Sequence, residues 1–229
     1  MSTTGLLLAA GMGSRLGQGT PKAFVSIKGR PMFLFSLDAM EASGVIDAVV
    51  LVAPRSELAR ARVMVEALDS NLIHDLVPGG ASRSGSVRAG LAASPPSTDV
   101  VVCHDAARPF ASPDLFRRVV AAVRSADGVV PVIPSPDTIK RLDGSRVVET
   151  IPRETVGLAQ TPQAFRAGAL REAHEGDPMD TTDDAALLEQ AGFRVETVEG
   201  EPGNFKITTS EDLSRAVARF QIRPLRMAS

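Results

Sequence analysis

Apolar positions along the chain follow two alternating rhythms. Unbroken runs of strand length, LLLA (6–9), AVVLVA (48–53), LIHDLV (72–77), DVVVC (99–103) and GVVPVI (128–133), recur between longer stretches with a helical period. Residues 114–123 place Phe116, Val119, Val120 and Val123 at i, i+3, i+4 and i+7, behind Ser112 as a possible N-cap and Pro113 at the first helical position. SEDLSRAVARF repeats the pattern with Leu213, Ala216, Val217 and Phe220, behind Ser210 and two early acids that suit a helix start. Strands alternating with helices over this length predict one α/β domain built on a mainly parallel, helix-flanked sheet. Ligands of such a sheet gather at the carboxyl ends of its strands.

One segment breaks the alternation. In DTIKRLDGSRVVETI (137–151), Asp143 and Gly144 separate two short runs rich in β-branched and aliphatic residues, a strong hairpin signal. An antiparallel arm standing off the sheet is predicted there. A lone two-stranded ribbon is marginal in water, which suggests that it packs on a second subunit.

Composition narrows the function. The chain has 229 residues, 44% of them apolar, a net charge of −2 and neither tryptophan nor tyrosine, so it offers neither the basic excess nor the stacking rings of a nucleic-acid binder. No apolar run approaches the roughly 20 residues that cross a membrane, and the N-terminus has no basic segment or cleavage site of a signal peptide, so a cytoplasmic location is expected. The single cysteine, Cys103, sits in the VVVC strand and reads as a small core residue.

Candidate chemistry follows the strands. LLLAAGMGSRLGQGTPKAF carries a glycine turn directly after a strand, where backbone N–H groups can approach an anion. Gly11 and Gly13 begin a dinucleotide fingerprint that fails at Leu16, and no lysine and hydroxyl follow at P-loop spacing. Arg15 offers a planar fork for phosphate oxygens and Lys22, fixed behind Pro21, a compact point charge. The alternative is a plain turn with two solvated cations. A second post-strand turn, VPGGASRSGSVRAGL, brings Gly79, Gly80, Arg83 and Ser86 to a helix entry, suited to backbone contacts with a base edge or to helix initiation alone. A third, HDAARPF, places Asp105 and Arg108 at a strand's carboxyl end as site residues or as a local salt bridge, with His104 read as structural. His74, His104 and His174 lack metal-like spacing. Further on come Thr138 and Lys140 at the arm's base, then Arg153, Thr161 and Gln163. Asp183 and Asp184 stand at a helix start, where the dipole alone favours acids, and Lys206 precedes the last helix.

Taken in order, LLLAAGMGSRLGQGTPKAF, PGGASRSGSV, HDAARPF, PDTIKR, AQTPQAF, TDDA and GNFKITTSEDL resemble the 2-C-methyl-D-erythritol 4-phosphate cytidylyltransferases of the non-mevalonate isoprenoid pathway over nearly the whole chain. The resemblance implies a single Rossmann-like nucleotidyltransferase domain of the glycosyltransferase-A kind over residues 1–229, with a dimerisation arm at about 136–158. It implies CTP and a polyol phosphate as substrates, a homodimer, and Mg²⁺ held mainly by the CTP phosphates, with Asp105 contacting it at most through water. Carried over by position, Arg15 and Lys22 would stabilise the transition state, and Arg153 and Lys206 would position the polyol phosphate. Ala9, Ala10, Gly11, Gly13, Gly79, Gly80 and Ser86 would hold the nucleotide, with Asp105, Arg108, Thr138 and Thr161 around the second substrate. Arg153 and Thr161 would belong to the swapped arm region and serve the partner's site. Ala81 stands where many members carry an acid, which removes a side-chain contact to the nucleotide. Two other readings stay open: transfer to a pentitol phosphate such as ribitol 5-phosphate, and a non-catalytic nucleotide-binding module.

Overall fold

The computed structural model describes residues 1–13, 16, 19–68, 70–175 and 183–222, with the backbone alone for the last two. Its centre is the first apolar run. β1 (Ser2–Leu8) pairs in parallel with β4 (Ala48–Ala53) on one side and β6 (Thr98–Asp105) on the other, and β5 (Ile73–Pro78) extends the parallel set beyond β4. Continuous apolar strands need cover on both faces. The register supplies it by alternation. Leu7, Val49, Leu51, Val100 and Val102 pack with α1 (Met32–Ser43), α2 (Leu58–Glu66) and α4 (Pro113–Ala122). Leu6, Val50, Val52, Val101 and Cys103 pack with α3 (Arg83–Ala93), α5 (Ala167–Ala173) and α6 (Asp184–Gln190). Cys103 is fully buried, as its strand context predicts.

The far half of the sheet is mixed. β7 (Gly128–Pro134) pairs in parallel with β12 (Val195–Glu199) on one edge. Along its other edge, β10 (Gly157–Ala159) and β11 (Gln163–Arg166) lie end to end and antiparallel, and β11 also joins β6. The eight strands run β10-β7-β11-β6-β1-β4-β5, with β12 branching from β7. A β2–β3 ribbon (Ser26–Ile27 and Arg30–Pro31) and α7 (Ser210–Ile222) close a third, smaller core with Met32, Ala107, Ile207 and Phe205.

The predicted arm exists as β8 (Ile139–Asp143) and β9 (Arg146–Ile151), an antiparallel pair outside the main sheet. Asp143 pairs with Arg146, so the turn is Gly144–Ser145, and Gly144 takes the φ of +56° that favours glycine there. Two boundaries shift. Gly157 and Leu158 fall inside the range expected for the arm but belong to β10 and are bonded to β7, because the chain has already rejoined the sheet. At α7 the cap is Thr209 rather than Ser210: its Oγ accepts from the Asp212 N–H, while the Asp212 carboxylate accepts from the N–H groups of Thr208 and Thr209. This reciprocal box fixes the chain directly after Lys206.

Candidate active site

The carboxyl ends of β1, β4, β5 and β6 open onto one cavity of about 630 Å³. One wall is the opening glycine loop. Ala9 continues β1 by donating its N–H to Val52, and Lys22 donates its backbone N–H to the Gly11 carbonyl at 3.2 Å, which closes the loop. Gly13 has φ +65°, and a β-carbon on it would lie 2.6 Å from the Lys22 Cβ. The glycine therefore seats the lysine as well as freeing backbone. Lys22 lines the cavity from a short 3₁₀ turn, Lys22–Phe24, anchored by buried Ala23 and Phe24. Arg15 lies outside the described residues.

The opposite wall is the β5–α3 turn. Ser82 caps α3 by accepting from the Gly85 N–H at 3.0 Å, and the Ser86 hydroxyl donates to the Ser82 carbonyl, which keeps its lone pairs available towards the cavity it lines. The two glycines are also required by packing. A β-carbon on Gly79 would meet the Ala10 Cβ at 2.3 Å, and one on Gly80 the Gly85 backbone at 2.6 Å. They let the two walls and the helix start approach one another. Around Ala9, Ala10, Pro54, Gly79, Gly80, Ala81 and Ser86 the lining is small and uncharged, while Lys22, Arg83, Asp105 and Lys206 carry the charge.

Asp105 ends β6 and joins the charged groups. Its carboxylate is 2.6 Å from the Lys206 ammonium and 3.6 Å from Arg83 Nε. Burial alone would push this carboxyl up; Arg83 first and Lys206 second overcome that and hold it well below the usual carboxylate range. Beside it a smaller hollow of about 170 Å³ is shared by Arg83, Asp105 and Lys206 with Arg108, Gln160, Thr161, Gln163 and Asp183.

Two residues expected around the second substrate have internal duties. Thr161 is buried in the body between β10 and β11, not on the arm. Its hydroxyl accepts the Asp105 N–H at 3.0 Å and lies within hydrogen-bond distance, 3.1 Å, of His104 Nδ1. His104 is fully buried, and burial lowers its pKa to about 4, so it is the neutral, structural group expected. Arg108 donates to the carbonyls of Asn204 at 2.8 Å and Ala159 at 3.2 Å, which ties the loop carrying Lys206 to β10. Asn204 in turn donates to the Thr161 carbonyl, and Gln160 donates to Glu201. Thr138 and Arg153 are exposed on or beside the arm and line neither hollow of this chain. Asp183 caps α6 and accepts from Gln163 Nε2, the structural reading of that acid.

The sequence reading missed the buried partner of Arg83. Asp184 is wholly buried 2.7 Å from Arg83 NH1. The available signal was Arg83 itself: a cation at the first position of a helix opposes the macrodipole and calls for a carboxylate nearby.

The carboxyl edge of the parallel strands joins an uncharged, small-residue recess to walls bearing Lys22, Arg83 and Lys206, an arrangement suited to a nucleotidyltransferase. The family model for IspD, 2-C-methyl-D-erythritol 4-phosphate cytidylyltransferase, matches residues 4–222, and the chain belongs to this family. It is 41% identical to the 2-C-methyl-D-erythritol 4-phosphate cytidylyltransferase of Streptomyces avermitilis, across 97% of this chain and 93% of that one. It is 43% identical to the bifunctional enzyme IspD/IspF of Solidesulfovibrio magneticus, across 93% of this chain and 56% of the longer protein. Its fold matches the crystal structure of 4-diphosphocytidyl-2C-methyl-D-erythritol synthase from Anaerococcus prevotii with a TM-score of 0.85 at 32% identity, covering 96% of this chain and 98% of that one. Among the described residues no helix is long and apolar enough to cross a membrane.

Proposed function

We infer that the chain transfers CMP from CTP to 2-C-methyl-D-erythritol 4-phosphate, releasing pyrophosphate. The observation that carries the chemistry is the cavity in which Lys22 and Lys206 face the uncharged recess. A phosphate monoester has its second pKa near 6 and is largely dianionic at pH 7, so its oxygen attacks without a general base. That oxygen bonds to the α-phosphorus, the bond from phosphorus to the α,β-bridging oxygen breaks, and the electron pair leaves with pyrophosphate. Negative charge gathers on the equatorial and leaving oxygens, and fixed cations stabilise it. Lys22 suits the triphosphate. Lys206, on the boundary of the two hollows, suits the incoming phosphate. Small residues and backbone groups around Gly80 read the base.

Mg²⁺ fits this donor set. Asp105 is the one carboxylate among the described residues lining the larger cavity, too few for a protein-held site but suited to an ion carried by phosphates. When bound it would neutralise triphosphate charge, with Asp105 the residue that would reach it through water. The reaction is proposed for the cytoplasm, in keeping with a single, buried cysteine.

Pyrophosphate release measured with each of the four NTPs against 2-C-methyl-D-erythritol 4-phosphate and ribitol 5-phosphate tests the reading. Turnover is expected with CTP and the methylerythritol phosphate. Preference for the ribitol phosphate, or no release at all, would overturn it.

We also propose that the protein works as a homodimer joined through the arm, with Thr138 and Arg153 serving the partner's cavity. The support is exposed apolar surface on a two-stranded ribbon: Leu142 is 60% and Val147 54% exposed, and they pair across the strands on one face. Leu142→Asp with Val147→Asp is expected to halve the mass at sedimentation equilibrium. A parent protein that sediments as a monomer rules the arrangement out.

A further inference from the structure

Four charged side chains of alternating sign run from the core to the cavity. Asp184 is wholly buried, Arg83 NH1 lies 2.7 Å from it, Arg83 Nε lies 3.6 Å from Asp105, and Asp105 Oδ2 lies 2.6 Å from Lys206 Nζ. At the inner end His174 Nε2 is 3.3 Å from the other Asp184 oxygen. Lys206 is a flexible four-carbon stem whose side chain is 41% exposed, so its ammonium needs a fixed partner to stay at one point. Asp105 is that partner. Its backbone is held by Thr161, which leaves the torsions of its side chain to be set. Arg83 is placed to set them: its planar guanidinium reaches two carboxylates at once, and the buried one fixes its orientation.

We propose that Arg83, anchored on buried Asp184, is a positioning residue for the transfer, acting through Asp105 to hold the Lys206 ammonium where the incoming phosphate binds. This rests on the reading of Lys206 as the cation for the second substrate. The geometry also separates Arg83 from a purely structural ion pair. Asp184 requires only one cation for its own burial, which a lysine would supply, whereas joining Asp184 to Asp105 needs two donors on one rigid plane.

Arg83→Lys is the discriminating variant, because it leaves a positive charge beside Asp184. With the parent protein and Lys206→Gln assayed alongside, kcat/KM for the polyol phosphate is expected to fall about tenfold to a hundredfold, with KM for CTP unchanged. The double variant Arg83→Lys with Lys206→Gln is expected to be no slower than Lys206→Gln alone, since both remove one device. Asp184→Asn gives a second line: it keeps the shape and hydrogen-bonding oxygen while loosening the anchor, and is expected to show the same selectivity and coupling. If Arg83→Lys fails to fold, the Asp184→Asn result decides. Losses that multiply with that of Lys206→Gln, an equal rise in KM for CTP, or a parental rate would overturn the proposal. A parent protein that releases no pyrophosphate would instead remove the functional reading, and this inference with it.

Discussion

Lys22→Ala is expected to lower kcat by about 10² to 10³ while leaving the melting temperature within error of the parent. The size follows from the chemistry, which develops charge on phosphate oxygens and uses no proton transfer by the protein. A preorganised cation is then the main device available, and no base takes over when it is removed. The preorganisation is visible in the backbone: Pro21 precedes the lysine, its N–H is bonded to Gly11 and its β-carbon rests against Gly13. Stability should survive because alanine keeps that β-carbon and the bond to Gly11 is made by the main chain. Steady-state kinetics with CTP and the methylerythritol phosphate, beside a thermal melt, reads both. A rate within threefold of the parent would remove Lys22 from the catalytic machinery. Arg15 belongs to the same loop and the same expectation, carried from the sequence alone.

The strands whose ends open onto the larger cavity were legible because they are unbroken apolar runs, and a run buried on both faces leaves that mark whatever its neighbours. β10 and β11 left no such mark. GLA and QAFR are three and four residues long, and their pairing with β7 depends on partners far along the chain. The arm was legible in place and its turn only nearly so, since Asp143 forms a cross-strand pair with Arg146 and the reversal falls at Gly144 and Ser145.

Site residues divide in the same way. Lys22, Asp105 and Lys206 stand next to strand ends or glycine turns, so local motifs pointed to them, and the fold brings them to one cavity. What the motifs concealed is how much of the polar chemistry is internal. Thr161 and Arg108 sit in motif positions, yet they secure the Asp105 backbone and the loop before Lys206. The chain from Asp184 through Arg83 to Asp105 and Lys206 joins residues from four separate segments. Such couplings follow from the sheet order, because β6 and the start of α3 meet only once β1 and β4 have been laid beside them. A single sequence carries no local signal for that.

Gly80→Ala is expected to reduce both stability and nucleotide affinity, for a reason distinct from the one its position suggests. The added β-carbon would lie 2.6 Å from the Gly85 carbonyl carbon, 2.8 Å from its Cα and 3.0 Å from its oxygen. All three are backbone atoms in the first turn of α3, so no side chain can swing away, and the helix start itself must shift. Overpacking of this kind typically costs about 1–3 kcal/mol, and each kcal/mol lowers Tm by about 2–4 °C in a chain of this size. The shift would also carry Ser82, Arg83 and Ser86 with it: the cap of α3, the link from Asp184 to Asp105, and a wall of the base recess. KM for CTP should therefore rise at least tenfold, with a further loss in kcat from the disturbed Asp105 and Lys206 pair. Gly168→Ala is the matched control, because its β-carbon would meet nothing within 4 Å and it lies inside α5, where alanine is the better helix former. That variant should melt at or above the parental temperature with parental kinetics. A Gly80→Ala protein that matched it on both measures would show that the close approach of the β5–α3 turn to the helix is dispensable.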